Sequence, residues 1–409
     1  MCCPDCEACD TRGLLYRDTP QEFVRLTGGP LIGGTRYLVE TLRCHVCSKR
    51  FRAPVPKAVQ NAPKHDFRCA STLAIARYSM GLPLYRIEQH QSMHGIPLKD
   101  ATQWDVLRRL WAVCAPVYQA LMDRAANGTL MHYDDTPGRI QENRKQGLAT
   151  HTTAFISVYE DKPIHLYFTG RNTAGKNVGE LLERRTGEEH ITAMMDASPH
   201  NLPAIPAALS ARFILCYCLV HGRRKFFEIF RFFDKECDFV LDVIGKVYAH
   251  DAHCKKQGLT PGKRLHYHQT HSTPLMESLY AWMNNQLLYE SCEANGGLGQ
   301  AVRYMLKHWE GLTAFLRIAG APLDNSWAER AVKIAIRHRR NSLFYKTTHG
   351  AEVGDGLMSL IETAIRQGVN AWDYLNSLQE HAEAVRENPA QWLPWNYQEQ
   401  LTDSALRAA

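Results

Sequence analysis

The spacing of hydrophobic positions changes near residue 128, where helical periodicity gives way to short apolar runs of alternating polarity. Such runs predict β-strands. Three predicted strands follow one another, and then come a helix and two further strands reached by crossovers, which predicts a mixed α/β sheet. The predicted strands are 129–134, 152–159, 163–168, 191–195 and 213–220, and the predicted helix is 175–185.

The segment before this sheet has the pattern of a helix-turn-helix. A proline-rich linker at 53–66 precedes helical stretches at 71–80 and 84–93, and we expect Asp100 to cap a third helix with Gln103 in the capping-box position. Two helices joined by a short glycine-containing turn form a common DNA-binding motif, although an ordinary connecting hairpin has the same pattern and the sequence favours neither. In the DNA-binding interpretation, the side chains expected to face DNA are Thr102, Gln103, Arg108 and Arg109.

The segment after the sheet is predicted to be helical. Helical spacing runs from 223 to about 320, with breaks at 259–262 and 294–297. Two more helices are predicted at about 324–339 and 350–367, and a polar tail with Pro389 and Pro394 follows them.

Cysteines are concentrated near the N-terminus, where six of the 13 lie in the first 47 residues. Two Cys-x2-Cys pairs separated by a predicted strand are typical of a small zinc module, because zinc prefers tetrahedral thiolate coordination. Unrelated free thiols are the alternative interpretation, and Cys9 could replace Cys3 as a ligand. The predicted zinc ligands are Cys3, Cys6, Cys44 and Cys47.

The net charge of +6 is too small to identify a nucleic-acid-binding protein, but its distribution is informative. Basic residues cluster in 221–231 and 330–346, which favours a polyanionic partner over two solvated helix faces. The longest apolar run, 213–220, is far shorter than the roughly 18 residues of a membrane helix, and the N-terminus lacks the pattern of a secretory signal. We therefore expect a cytoplasmic protein. The basic side chains expected to contact a polyanionic partner are Arg223, Arg224, Lys225, Arg330, Lys333 and Arg337.

Three carboxylates are candidates for catalysis. Asp134 and Asp196 each stand where an apolar strand ends, and Glu329 borders the apolar stripe of a predicted helix. Carboxylates without histidine or cysteine among them suit hard cations such as Mg²⁺ or Mn²⁺, and a pair of such ions promotes phosphoryl transfer. Helix caps or surface charges are the alternative interpretation for each residue.

Several motifs together resemble bacterial insertion-sequence transposases of the IS66 type. They are HYDDTP at 132–137, CLVHGRRKFF at 218–227, PLDNSWAERA at 322–331, LPLYRIEQ at 82–89 and SLIETA at 359–364. The resemblance implies an RNase H-like core with an Asp-Asp-Glu triad, a zinc-binding N-terminal module, and DNA cleavage and strand transfer at the terminal inverted repeats of the element. It also implies double-stranded DNA as the partner, with the basic side chains of the two clusters in contact with DNA phosphates. It further implies a homo-oligomer on DNA, a location at the nucleoid and room for helper proteins.

Carried over residue by residue, the triad falls on Asp134, Asp196 and Glu329, with Asp135 as an alternative first aspartate. Adjacent side chains of a strand point to opposite faces, so only one of the two aspartates should reach the metal ions, and we choose Asp134. Cys218 and His221 keep a Cys-x2-His spacing, and we expect them to have a structural role beside the cleft. Alternative functions are a nuclease without strand transfer and an inactive DNA-binding regulator.

These predictions divide the chain into six parts around an α/β, RNase H-like mixed sheet. They are a zinc-ribbon-like module (1–55), a linker with a helical DNA-binding domain (56–126), the first part of the core (127–235), a helical insertion (236–320), the glutamate helix with the following helix (321–370) and a C-terminal tail (371–409).

Overall fold

The computed structural model describes Arg25, residues 27–288, Glu293 and residues 295–408. Cys3, Cys6 and Cys9, which contain the predicted first zinc-binding pair, lie outside the described residues. The described part is a mixed α/β structure in which a five-stranded sheet is surrounded by helices, and a separate two-stranded hairpin precedes it. The strands are β1 (Thr41–Arg43), β2 (Arg50–Arg52), β3 (Leu130–Pro137), β4 (His151–Tyr159), β5 (Lys162–Gly170), β6 (Ile191–Met195) and β7 (Phe213–Tyr217).

The five strands predicted from alternating polarity are all present. They form a sheet in the order β5-β4-β3-β6-β7, in which β4 runs antiparallel to its two neighbours and β3, β6 and β7 are parallel. This mixed sheet is compatible with the RNase H-like core that the resemblance implies. The two-residue turn between β4 and β5 has positive φ at both Glu160 (47°) and Asp161 (60°), which is the backbone of a tight hairpin turn.

Seventeen helices are present in the described residues. Those on the N-terminal side and within the sheet region are α1 (Lys57–Gln60), α2 (Phe67–Ala74, continued by a π-helical turn at Ile75–Ser79), α3 (Leu84–Met93), α4 (Asp100–Ala126), α5 (Gln141–Lys145), α6 (Ala174–Leu182) and α7 (Leu219–Ile229). The remainder are α8 (Asp234–Lys256), α9 (Pro261–His271), α10 (Thr273–Leu288), α11 (Gly297–Lys307), α12 (Trp309–Leu312), α13 (Ser326–Ser342), α14 (Thr348–Arg366), α15 (Ala371–Glu380), α16 (Ala382–Glu387) and α17 (Tyr397–Ala408).

Helices cover both faces of the sheet. On one face, α4 packs against β4, and the Ser157 hydroxyl donates a 2.7 Å hydrogen bond to the Ala125 carbonyl. On the other face, α13 and α14 pack against β3, β4 and β5, and the Tyr167 hydroxyl donates a 3.3 Å hydrogen bond to the Ala331 carbonyl. Because side chains alternate along a strand, adjacent residues of β3 point to opposite faces of the sheet.

Helix α4 packs closely on α14 at the edge of the sheet. At this contact, a Cβ atom added to Gly356 would collide with the Trp111 ring, so only glycine allows the two helices to approach as they do. Most apolar side chains of α4, including Leu107, Leu110 and Leu121, are buried in the same hydrophobic core as the sheet. The long helix is therefore part of the central core.

The prediction that Gln103 faces DNA is wrong. Its side chain is buried and its Nε2 donates hydrogen bonds to the carbonyls of Leu84 (3.0 Å) and Leu98 (2.8 Å), so it ties α3 to α4. The prediction that Asp100 is the N-cap is also wrong, because Lys99 occupies that position. The Asp100 N–H instead donates to the Glu88 carboxylate on α3 at 3.0 Å.

Helices α8, α10, α11 and α12 follow α7 and build a second hydrophobic core. This core contains Val240, Ile244 and Val302 from these helices together with Phe226 of α7 and Cys218, which directly follows β7. The helical segment is therefore packed against the carboxyl ends of β6 and β7.

The segment after residue 370 is not the polar tail that its composition predicted. It forms α15, α16 and α17, with Tyr374 and Trp392 buried. Helix α15 packs against α2, where Ser71 donates a 2.8 Å hydrogen bond to the Asn376 side chain. Polar composition concealed these helices because their apolar side chains are few and are spaced along one helix face.

None of the described helices has the length and apolarity needed to cross a lipid bilayer.

The buried Asp355 of α14 should make the stability of the fold depend on pH. Its carboxylate accepts hydrogen bonds from the N–H and the hydroxyl of Thr169, yet burial raises its pKa to about 7. Since the unfolded chain has a lower pKa, this contribution to stability is complete below about pH 4 and is lost as the pH rises through 7. In the wild type, the free energy of unfolding should fall by on the order of a few kcal/mol between pH 5 and 8 because of this group. We expect Asp355→Asn to abolish this fall.

Urea denaturation at both pH values measures this effect. Asp373→Asn, at an exposed position of α15, is the matched control and should keep the pH dependence of the wild type. An equal pH dependence in Asp355→Asn and the wild type would contradict the prediction.

Candidate active site

Two of the candidate carboxylates lie side by side because of the sheet register. Strands β3 and β6 are parallel neighbours, with His132 opposite Met194. Asp134 is two residues further along β3, and Asp196 comes two residues after Met194, so both stand at the same level, one strand spacing of about 4.8 Å apart. The backbone ladder therefore fixes their relative positions.

Glu329 reaches this level because Asn325 anchors the start of α13. The Asn325 Nδ2 donates a 2.9 Å hydrogen bond to the Tyr133 carbonyl, and its Oδ1 lies 3.2 Å from the Nδ1 of His132. The Asn325 N–H also donates to the Cys218 Sγ at 3.3 Å. These contacts connect the first turn of α13, where Glu329 lies, to both β3 and the segment that follows β7.

The three carboxylates are close enough to affect one another. The pKa of Asp134 is raised to about 6, mainly by burial, and the negative charges of Asp196, Asp135 and Glu329 contribute to the rise while the Asp135 N–H opposes it. The structure thus places Asp134, Asp196 and Glu329 near one another at one end of the sheet, whereas the group of described residues whose ligand atoms all lie within 4.8 Å of one another is Cys218, His221 and Glu329. Such a group of acids favours either a bound cation or a proton.

The Asp135 side chain points to the opposite face of the sheet, where both of its carboxylate oxygens accept hydrogen bonds. Its Oδ1 accepts a 2.6 Å hydrogen bond from the Thr153 hydroxyl, and its Oδ2 accepts a 2.7 Å bond from the Ala174 N–H at the start of α6. The carboxylate therefore satisfies a free donor of the first helical turn. This arrangement gives Asp135 a structural role on the side of the sheet away from Glu329.

Cys218 and His221 lie directly against the carboxylates. The His221 Nε2 is 3.9 Å from the Asp196 carboxylate, and the ligand atoms of Cys218, His221 and Glu329 all lie within 4.8 Å of one another. The His221 Nδ1 is buried and has no hydrogen-bond partner among the described residues. Since burial raises the pKa of the Cys218 thiol to about 11, the imidazole is the better additional metal ligand of the two.

Tyr304 is a site residue that the sequence did not reveal. It lies on α11, and its pKa is raised first by burial and then by nearby charges, of which the Asp196 carboxylate is the largest. The Lys225 ammonium stands 5.5 Å from the centre of its ring. Helical periodicity in 297–307 predicts which side chains of α11 are buried, but it contains no signal that α11 returns to the sheet.

The predicted DNA-contacting residues are exposed on helices that begin at the site. Arg223, Arg224 and Lys225 extend from α7, and Arg330, Lys333 and Arg337 extend from α13. Arg337 also donates a hydrogen bond to the Ser79 carbonyl at the end of the π-helical turn. Arg108 and Arg109 are exposed on α4.

The second predicted zinc-binding pair lies in the β1–β2 hairpin. Cys44 follows β1, and Cys47 lies in the turn before β2. The backbone N–H groups of Cys47 and Val46 donate to the Cys44 sulfur and lower its pKa, which favours the thiolate that binds metal. The described residues therefore contain one half of the predicted four-thiolate site.

A family model described as Transposase IS66 family matches residues 66–353, which is more than half of the chain. Two similar proteins from Sinorhizobium fredii are the uncharacterized proteins y4jD, 24% identical over 372 residues (87% of this chain and 70% of that protein), and y4hP, 24% identical over 401 residues (91% and 70%). A third, the uncharacterized protein y4qI of the same organism, is 23% identical over 343 residues (81% and 62%).

Loss of the Asn325 side chain should destabilise the protein. Asn325→Ala leaves the buried Tyr133 carbonyl and His132 without their partner, which should cost about 1–3 kcal/mol in the free energy of unfolding. Chemical denaturation measures the change, and the exposed Asn388→Ala should stay within about 0.5 kcal/mol of the wild type. Equal stabilities of the two variants would show that Asn325 does not hold α13 in place.

Proposed function

Because the chain belongs to the IS66 transposase family, we propose that it cleaves DNA at the terminal inverted repeats of an insertion sequence and joins the freed ends to target DNA. The family makes DNA the substrate. The observation that supports the specific reaction is the proximity of Asp134, Asp196 and Glu329, expressed in the influence of the other two charges on the pKa of Asp134. The three side chains are assigned as the catalytic triad.

Mg²⁺ or Mn²⁺ is the cofactor that suits this site. The three carboxylates supply oxygen ligands, and a cation would offset both the burial that mainly raises the pKa of Asp134 and the smaller effect of the neighbouring negative charges. His221 could add a nitrogen ligand beside Asp196. When bound, the divalent ions would activate water and stabilise the attacking and leaving oxygens of a phosphodiester.

The protein's own residues would orient the substrate and neutralise its charge. Hydrolysis would free a 3′-hydroxyl at the element end, and this hydroxyl would then attack a target phosphodiester in line, releasing another 3′-hydroxyl. Positive side chains on the two helices that begin at the site would hold the backbone phosphates, which makes binding dependent on salt. These side chains are Arg223, Arg224, Lys225, Arg330, Lys333 and Arg337.

Recognition of the element ends is assigned to the N-terminal part of the chain. Zinc bound by Cys3, Cys6, Cys44 and Cys47 would order the hairpin module, and Arg108 and Arg109 of α4 would add phosphate contacts. A homo-oligomer, with or without helper proteins, would bring two element ends together on nucleoid DNA.

Glu329→Gln should abolish cleavage. Residues that only orient metal ligands contribute about 10- to 100-fold, so loss of a ligand should lower the cleavage rate by at least about 100-fold. The assay incubates a labelled duplex carrying the terminal inverted repeat with protein and Mg²⁺ or Mn²⁺, and separates nicked, cut and joined products. Glu380→Gln, at an exposed end of α15, is the control and should cleave like the wild type.

The products distinguish the alternatives. Cleavage without joined products would favour a nuclease, and binding without cleavage by the wild type would favour a regulator. Cleavage by Glu329→Gln at the wild-type rate would remove this residue from the mechanism.

The zinc assignment predicts one tightly held zinc ion per chain. Cys47→Ser should lose it, because three thiolates leave the tetrahedral site incomplete, whereas Cys254→Ser, in the buried part of α8, should keep it. Metal analysis of the purified proteins measures the content. Full zinc content in Cys47→Ser, or none in the wild type, would contradict the assignment.

A further inference from the structure

An open cavity of about 180 Å³ lies on the same sheet face as the catalytic carboxylates, between the sheet and the helices α13 and α14. Its lining combines one large aromatic ring, two arginines and a buried histidine. The lining residues include Ile156, Pro163, His165, Trp327, Arg330 and Arg366.

Trp327 connects this cavity to the triad. It precedes Glu329 by two residues in the first turn of α13, and its ring packs on His132 with centroids 5.2 Å apart. His132 is in turn two residues before Asp134 on β3. The indole is 41% exposed, although it borders the core, so one face of the ring is open to a ligand.

The cavity is within one or two nucleotides of the reaction centre. In the sheet, His132 pairs with Ile156, and Ile156 pairs with His165. The His165 wall is therefore two strand spacings, about 10 Å, from β3. A DNA strand whose phosphate lies at the triad can place a neighbouring base in the cavity.

The polar groups of the lining suit a nucleotide. Arg330 is exposed, and Arg366 is only partly compensated by Glu362, 3.8 Å away, so both can face a phosphate. The Nδ1 of the buried His165 has no hydrogen-bond partner in the described part of the chain. Burial, and secondarily Arg366, lowers the pKa of His165 to about 3, so the ring is neutral and has one donor and one acceptor nitrogen.

We propose that this cavity binds an unpaired nucleobase of the DNA end, which stacks on Trp327 while Arg330 and Arg366 hold the adjacent phosphate. A base within a duplex has no free face for such stacking, so the nucleotide must leave the helix. The inference rests on the proposed function, because it takes the DNA end as the ligand.

The test is a binding measurement without divalent metal, so that no cleavage occurs. The probes are duplexes with the terminal inverted repeat that carry one unpaired nucleotide at successive positions beside the cut, and the same duplexes with an abasic residue there. At one position, the wild type should bind the base-containing probe about fivefold or more tightly than the abasic probe. Trp327→Ala should lose this preference, and Trp327→Phe should keep part of it.

Two further variants separate stacking from charge. Tyr280→Ala removes a ring of similar exposure (42%) on α10 and should leave the preference unchanged. Arg330→Gln should weaken binding of both probes and lower the slope of the affinity against salt by about one, whereas Trp327→Ala should not change that slope.

Equal affinity of the wild type for base-containing and abasic probes at every position would overturn the inference. This comparison needs no variant, so it decides the question even if Trp327→Ala does not fold. Cleavage and joining by a wild type without base preference would leave the proposed function intact, whereas failure to bind any probe would overturn both.

Discussion

Three negative charges at one end of the sheet are the constraint on which the site depends. Asp134 lies on β3 and Asp196 directly follows β6, so the hydrogen bonds between these parallel strands keep the two acids close together. Glu329 adds a third negative charge from α13, a helix that repulsion between the acids would push away from the sheet. The buried hydrogen bonds of Asn325 and the small apolar side chains of α13 that pack on the sheet oppose this repulsion. The fold therefore holds the acids in an arrangement that is unfavourable without a counter-ion.

The helices between β7 and α13 separate Asp196 from Glu329 in the sequence, and they also contribute side chains to the site. Their hydrophobic core includes Cys218 and Phe226, so it supports the start of α7 and with it His221. Tyr304 of α11 stands beside Asp196 and lies under Lys225. One wall of the candidate active site thus comes from a segment whose sequence pattern shows only helices.

Local rules explain which parts the sequence could predict. Alternating polarity is a property of neighbouring residues, and it was enough to locate the five strands and to separate the faces of Asp134 and Asp135. Gln103 was misplaced because the local pattern does not show that α3 packs against it, where the Leu84 carbonyl accepts a hydrogen bond from its side chain. Tyr304 was missed for a related reason, since its role depends on packing between segments about 100 residues apart.

The contact between α2 and α15 has a consequence for how this chain acquires its structure. Ser71 bonds to Asn376, and Trp372 bonds to Thr72, so about 300 residues separate partners in one core. Contacts of such sequence separation form late in folding. During synthesis on the ribosome, α2 is made long before α15, and the face of α2 that packs on α15 stays uncovered until α15 has been made. The central core is thus completed only once about 300 further residues have followed α2 out of the ribosome.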